Sequence, residues 1–381
     1  MPFAAALSQH PLATQAVGEV TGQVLERLGH APDLAVLFAS ASHVGAMEDI
    51  AGAVESLLAP GALIGATAAC VVGGAREVED QPALSLWAGR FGSATPLRLA
   101  ATRQDDGVAI TGFPPPDELP DDAVALLVLA DPFSFPADVF LAGLHEQVGL
   151  DLPVVGGLAS AARGPGGNRL VLGPDVVADG AVAVVLGGVG VSTVVSQGCR
   201  PVGDPMTVTA AERHVIYELA GRPALDRVEE LVASLGPADL ALVQRGLHAG
   251  RVIDEHKVDY TRGDFLIRNV LGADRGARAV AVGDEVEVGD TLQFQVRDAQ
   301  SADDDLRALM AGGQGDGALL FTCNGRGSNL FTTPDHDAEI VSEAIDGAPV
   351  AGMSCAGELG PVGGRSFLHG FTASVVLFAD R

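Results

Sequence analysis

The chain has 381 residues, 48% of them apolar, with 49 glycines and only 19% charged side chains. That make-up belongs to a globular α/β protein and excludes a disordered one. Forty-nine acids against 23 bases give a formal net charge of −26, which repels polyanions, so nucleic acid and anionic membrane surfaces are set aside as partners.

In chain order, Phe3–Leu7 reads as a first strand and Pro11–Leu28 as an amphipathic helix, with Leu12, Ala16, Val20, Val24 and Leu28 on one stripe. Leu34–Ala39 is a buried strand, Val44–Leu58 a helix and Ala62–Ala68 a strand. Ala83–Phe91 alternates as a strand, and Leu97–Thr102 is expected to pair with it. The proline-rich, acidic run Thr111–Asp122 reads as a connection between modules. Then follow a buried strand Ala123–Ala130, a helix Phe135–Val148 and a strand Pro153–Ala159. Ala181–Leu186 and Val191–Ser196 are expected to form an antiparallel pair. Met206–Thr209 and His214–Glu218 suggest a hairpin, and a helix from Arg222 to about Leu235 suggests a bridge between domains. Phe265–Val270, Ala279–Val282 and Leu292–Val296 read as strands and Ala302–Met310 as a helix. The chain closes with strand Ala318–Thr322, helix Asp335–Ile345 and strands Pro349–Met353 and Phe371–Phe378.

A pattern of apolar strand, helix, and strand with an embedded glycine occurs three times: LAVLFASA with ALIGATAA, ALLVLADP with PVVGGLAS, and ALLFTCNG with PVAGMSCA. Each copy is long enough for a right-handed βαβ crossover. The predicted class is therefore α/β of mixed α+β character, in two related domains. Each would be a mixed sheet built on βαβ units, with added antiparallel strands and helices on the outer faces. The expected division is 1–222, containing modules 1–110 and 121–222, followed by 223–381.

Loops at the carboxyl ends of parallel strands share one rim, where open α/β sheets bind ligands. In the third copy those loops are Cys323-Asn324-Gly325-Arg326-Gly327 and Ser354-Cys355-Ala356-Gly357-Glu358. Glycine lets a ligand approach the main chain, and an arginine fork suits a carboxylate. These residues, Cys323, Asn324, Gly325, Arg326, Gly327, Ser354, Cys355, Gly357 and Glu358, form the candidate ligand site. Arg326 would clamp a carboxylate and Glu358 an ammonium group. The competing structural reading is an Arg326–Glu358 ion pair bracing two loops. Cys323 is also a candidate nucleophile, with His369 or His336 as base, against its reading as a small buried hydrophobe. Asp335-His336-Asp337 reads either as a cation site or as a helix N-cap region.

Cys70, Cys199, Cys323 and Cys355 form no CxxC pair, which points away from a zinc knuckle and suits a reducing cytoplasm. The N-terminus lacks the features of a secretory signal, and the apolar run Ala181–Val195 reads as strands. A cytoplasmic location is expected. No GxGxxG or GxxxxGK[ST] fingerprint is present.

The motifs Cys323-Asn324-Gly325-Arg326-Gly327, Pro349-Val350-Ala351-Gly352, Gly357-Glu358-Leu359-Gly360-Pro361 and Leu368-His369-Gly370-Phe371-Thr372 resemble the FIST family. So do Leu34–Ser40, Leu63–Thr67 and Gly221–Leu225. The resemblance covers nearly the whole chain, as FIST N followed by FIST C. It implies small-ligand sensing in signal transduction, with amino acids as ligands and a downstream signalling protein as partner. It also keeps open a haem or nitric-oxide sensor, beside the thiol-enzyme alternative. Neither a metal nor a cofactor is called for by the residues themselves.

Overall fold

The computed structural model describes residues 2–104, 107–145, 152–257, 259–261 and 263–380. Among them are seven α-helices and 27 strands, a mixed α/β class with both parallel and antiparallel pairing. Contacts divide the chain into two compact units. One runs to Val195 and resumes over Leu306–Leu368 and from Thr372; the other is Ser196–Asp305 with His369–Phe371.

The first module contains β1 (Phe3–Ser8), α1 (Ala13–Leu28), β2 (Leu34–Ser40), α2 (Met47–Leu58) and β3 (Ala62–Ala68). A hairpin follows, β4 (Cys70–Gly73) and β5 (Arg76–Glu79), and then β6 (Leu84–Gly89). Next come β7 (Ser93–Gln104) and β8 (Gly107–Thr111). The second module repeats the plan with β9 (Ala123–Ala130), α3 (Ala137–Gly143), β10 (Val154–Leu158), hairpin β11 (Leu170–Leu172) and β12 (Asp175–Val177), then β13 (Ala181–Gly187) and β14 (Gly190–Gln197).

The second unit is built from β15 (Cys199–Pro201), β16 (Met206–Glu212), β17 (Val215–Leu219), β18 (Arg222–Pro223), α4 (Ala224–Ser234), α5 (Pro237–Arg245), β19 (Leu247–Val252), β20 (Phe265–Asp274), β21 (Ala279–Val282) and β22 (Thr291–Arg297). Its antiparallel sheet runs β22-β16-β17-β21-β20-β19, and β19 pairs back to β22, so the sheet closes on itself. Closure removes unpaired edges. Val208, Ile216, Val280, Leu292, Phe294 and Val296 fill its interior, where Leu225 and Leu231 of α4 also pack.

The third module has α6 (Ala299–Met310), β23 (Gly317–Cys323), α7 (His336–Ala344), β24 (Val350–Cys355), hairpin β25 (Glu358–Val362) and β26 (Arg365–His369), and β27 (Thr372–Ala379). In all three modules the two strands of the repeat pair in parallel: β2 with β3, β9 with β10, β23 with β24. The sheets are β1-β6-β2-β3-β11-β12, β8-β7-β13-β9-β10-β25-β26 and β14-β27-β23-β24-β4-β5. The hairpin that follows each βαβ unit therefore docks on another module's sheet. The first module's hairpin joins the third sheet, the second's joins the first, and the third's joins the second.

The embedded glycines explain how these hairpins fit. Gly65, Gly156 and Gly352 pair with Leu37, Val128 and Leu320 on one side and with Val171, Leu359 and Val72 of the borrowed strands on the other. A Cβ at Gly65 would stand 2.5 Å from the Leu37 carbonyl oxygen; at Gly156 and Gly352 it would stand 1.9 Å from those of Val128 and Leu320. No side chain fits there.

One core faces all three sheets, with Phe38, Trp87, Leu127, Val184, Phe321 and Phe378 among its members. The helices cover the outer faces, α1 and α2 on the first sheet, α3 on the second, α6 and α7 on the third. The α1 stripe expected from sequence is buried at Ala16, Val20 and Val24, while Leu12 precedes the helix and is 60% exposed.

Four local expectations are corrected. The strand Ser93–Gln104 pairs with β13 and β8, not with Ala83–Phe91. Ala181–Gly187 and Gly190–Gln197 belong to different sheets instead of pairing with each other. The strand Leu84–Gly89 is buried on both faces, so it does not alternate. The helix expected over Phe135–Val148 is observed at Ala137–Gly143, and its expected end lies outside the described residues.

Candidate functional site

At the carboxyl end of β23 and β24 the first unit has a cleft of about 130 Å³. Its lining includes Thr322, Cys323, Asn324, Arg326, Gly327 and Ser354 of the third module, and Cys70, Glu77, Glu79 and Asp80 from the borrowed hairpin of the first. Five of the nine residues expected from sequence thus meet at one cleft. Gly325 lies in the turn between them. Cys355, Gly357 and Glu358 are buried and are not among the lining residues.

Arg326 is almost wholly enclosed, at 1% exposure. Its Nε and Nη2 donate to the two carboxylate oxygens of Asp337 at 2.7 and 2.8 Å. The competing structural reading paired Arg326 with Glu358; the observed partner is Asp337, at the start of α7. The guanidinium also lies over the Phe331 ring, 5.2 Å from its centre. Its third nitrogen, Nη1, is buried and has no hydrogen-bond partner.

Asp337 is tied further by the Thr322 hydroxyl, which donates at 2.6 Å, and by His336 Nδ1 at 2.9 Å. Burial pushes this carboxyl up, but the Arg326 charge and the hydrogen bonds from Arg326, His336 and Thr322 outweigh it and hold Asp337 well below the usual carboxylate range. The Asp337 charge and its hydrogen bond in turn outweigh the desolvation of Arg326 and raise its pKa. Asp335 precedes α7 but its side chain does not cap the helix. The cap comes from the borrowed hairpin instead: Glu77 Oε1 accepts the Ala338 N–H at 2.9 Å. Asp335 in turn accepts the Glu77 N–H at 2.7 Å and an ion pair from Arg76.

Burial, and then the nearby Asp337 charge, push the Glu77 carboxyl up to about 8. Glu79 accepts the Ser328 N–H at 2.9 Å and also the Ser328 hydroxyl. Gly327 has φ +50°, and a Cβ there would stand 2.2 Å from Glu79 Oε1. The loop therefore closes on the hairpin only with glycine at this position. The strand tips are stitched together nearby: the Cys70 N–H donates to Ser354 Oγ, the Ser160 hydroxyl to the Ser354 carbonyl and the Ala69 N–H to Ser160 Oγ.

Beneath this cleft Glu358 is 0% exposed. Its Oε2 accepts the Thr372 N–H at 3.1 Å and the Thr372 hydroxyl at 2.8 Å, while Oε1 has no partner among the hydrogen bonds. Burial pushes this carboxyl up to about 8, against the pull of Thr372, Arg326 and the Cys323 thiol. Cys323 itself is 7% exposed, and its sulfur accepts the Gly325 N–H at 3.4 Å. Of the two histidines considered as its base, His336 is committed to Asp337 and stacks on Phe331, and His369 belongs to the second unit.

The residues here do not fit a haem. No histidine lines the cleft, and its 130 Å³ is small beside the several hundred typical of cofactor pockets. Among the described residues there is no group of three or more His, Cys, Asp or Glu side chains placed to hold a metal ion.

Sequence reasoning missed Cys70, Glu77, Glu79, Asp80 and the role of Asp337. The Gly73-Gly74 turn between the apolar run 70–72 and the alternating run Arg76–Glu79 is a hairpin signal that could have revealed β4 and β5. Nothing local to that hairpin says which sheet receives it.

The cleft lies at the carboxyl ends of parallel strands, the rim where open α/β sheets bind ligands. The chain matches the FIST N domain over residues 33–222 and the FIST C domain over residues 224–361. It belongs to the FIST family, which is associated with sensory signal transduction. Among similar proteins, an uncharacterised protein of Mycobacterium bovis is 44% identical over 381 residues, covering 97% of each chain. Another, from Mycobacterium tuberculosis, is 44% identical over 390 residues and covers all of both chains. The cleft draws on both matched regions, since Cys70, Glu77, Glu79 and Asp80 fall in the first and the remaining lining residues named above in the second. Among the described residues no helix is long and apolar enough to cross a membrane.

Proposed function

We propose that this chain is a cytoplasmic ligand-binding sensory protein whose cleft takes a small carboxylate-bearing metabolite such as an amino acid, and passes its occupancy to a downstream signalling protein. The observation that carries this reading is Arg326 Nη1, a buried donor at the cleft whose neighbouring nitrogens are fixed by Asp337. An unmade buried hydrogen bond costs about 1–3 kcal/mol, so an acceptor arriving there removes a standing penalty. Because Asp337 already balances the Arg326 charge, the acidic wall of Glu79 and Asp80 disfavours a simple dianion. A zwitterion satisfies both sides, its carboxylate toward Arg326 and its ammonium toward the hairpin. Glu358, enclosed beneath the cleft, is replaced in that second role by the hairpin carboxylates.

Isothermal calorimetry of the full chain against a panel of amino acids and the matching keto acids tests this. At least one small amino acid should bind, and its keto acid should bind more weakly. Glu79→Gln and Asn324→Ala, which spare the buried ion pair, should weaken the binding. Absence of heat from every member of the panel, or binding untouched by both changes, would overturn the reading.

A further inference from the structure

Cys323 and Cys355 end β23 and β24 and stand directly opposite each other in the parallel ladder. Opposed residues of a parallel pair send their side chains to the same face, and neighbouring strands lie about 4.7–4.9 Å apart. That separation falls inside the roughly 4.4–6.8 Å between Cα atoms that a disulfide spans. Both cysteines are thiols in this structure.

Their surroundings differ in a way that assigns each a part. Cys323 lines the open cleft, so a small solute reaches it. The Gly325 N–H donates to its sulfur, a contact that a sulfur acting as nucleophile keeps. Cys355 is 0% exposed and its thiol donates to the Met353 carbonyl at 3.6 Å. Its sulfur occupies the space left by Gly157, where a Cβ would stand 2.3 Å away. The Glu358 carboxyl is close enough to act on both thiols, and its Oε1 is open to a proton. Cys70 also lines the cleft, but its backbone is bonded to Ser354, one residue out of register with Cys355. Burial and nearby carboxyls hold the Cys70 and Cys355 thiols alike far above the ordinary value, so it is register with Cys323 that selects Cys355.

We propose that Cys323 and Cys355 are a reversible dithiol site for small hydroperoxides, with Cys323 the attacking thiol, Cys355 the resolving thiol and Glu358 the proton acceptor between them. The Cys323 thiolate attacks the outer oxygen of ROOH. An S–O bond forms, the O–O bond breaks, and the alkoxide leaves as ROH with the proton that Cys323 gave up. With Glu358 as the carboxylate, the form it takes above about pH 8, Cys355 passes its proton to it and attacks the sulfenic sulfur. The S–S bond forms, the S–O bond breaks, and hydroxide leaves as water with the proton from Glu358. Two thiols lose two electrons and the peroxide is reduced to ROH and water. An external dithiol reverses the reaction. The site does not depend on the identity of the ligand in the cleft, although oxidation withdraws the Cys323 sulfur from its wall.

The test is titration of the full chain with hydrogen peroxide, followed by alkylation and non-reducing peptide mass spectrometry. A peptide pair joined through Cys323 and Cys355, lighter by two hydrogens and lost on adding dithiothreitol, is expected. In Cys355→Ser, dimedone should label Cys323 several-fold more than in the parent chain, because its sulfenic acid goes unresolved. Cys323→Ser should leave Cys355 reduced. Glu358→Gln should slow the joining step while dimedone labelling rises, a result that a purely structural role would not give. Oxidation appearing first at Cys70, cross-linking only between chains, or unchanged labelling in Cys355→Ser would overturn the assignment.

Discussion

At the carboxyl end of β9, Asp131 stands where β23 has Cys323: each is three residues beyond the partner of its module's embedded glycine, Val128 or Leu320. Asp131 is 0% exposed and accepts the Phe133 N–H at 3.2 Å, the Ser134 hydroxyl at 2.6 Å and the Asn168 amide at 2.9 Å. Its donors all come from its own module and complete it. The third module puts an arginine three residues after its cysteine and finds the partner in α7, leaving one donor unmade beside an open cleft. The same backbone thus yields a self-sealed end and a receptive one. The difference lies in whether the polar groups that the strand tip delivers are all consumed locally.

That contrast predicts unequal costs of removal. Asp337→Ala strands a buried guanidinium and should destabilise the first unit by about 3–5 kcal/mol. Asp131→Ala leaves only neutral donors unpaired and should cost about 1–3 kcal/mol. Urea midpoints of the two variants, compared with the parent chain, decide it. Equal losses would mean that the two strand tips are energetically alike despite their chemistry.

The repeat glycines allow a finer comparison between modules. Gly352→Ala puts a methyl 1.9 Å from the Leu320 carbonyl oxygen, while Gly65→Ala puts one 2.5 Å from that of Leu37. Because the obstacle is backbone in both cases, the first should cost about 3 kcal/mol and the second about 1–2 kcal/mol. Thermal unfolding measures both. A Gly352→Ala chain as stable as the parent would show that the parallel pair yields without strain, and that borrowed hairpins need no glycine to seat.

These glycines were legible in the sequence because a strand–helix–strand pattern recurs with them at one position. So were β23, α7 and β24, whose apolar runs are long and regular. What the chain did not disclose was assembly. The hairpin β4–β5 is two four-residue strands, and its Cys70 N–H bonds Ser354, 284 residues away. No local periodicity encodes such a pairing. The ion pair of Arg326 with Asp337 was hidden for the same reason; the competing reading had named Glu358. Several acids were in reach along the chain, and Asp337, eleven residues on, wins because α7 starts beside the strand tip. The cleft was placed on the right loops, but its acidic wall was hidden in another module's hairpin.

The carboxyls around that wall also separate by their response to pH. Glu358 and Glu77 are pushed from the ordinary 4.5 to about 8, so above pH 4.5 the unfolded chain has released protons that the folded chain still holds. Stability must then fall as pH rises from about 5 to 8 and level off beyond. Asp337 has the opposite sign: held low by Arg326, it stabilises above the ordinary 3.8 and that contribution is lost only in stronger acid. Between pH 5 and 8 it therefore supplies no slope. Glu358→Gln keeps an acceptor for the Thr372 N–H and hydroxyl but has no proton to release. Its urea midpoint, followed from pH 5 to 8, should decline less than that of the parent chain, and the two curves should converge in the acid range where Glu358 is neutral in both states. Parallel curves across the whole range would mean that Glu358 is already ionised in the folded protein, and that burial does not hold a proton on it.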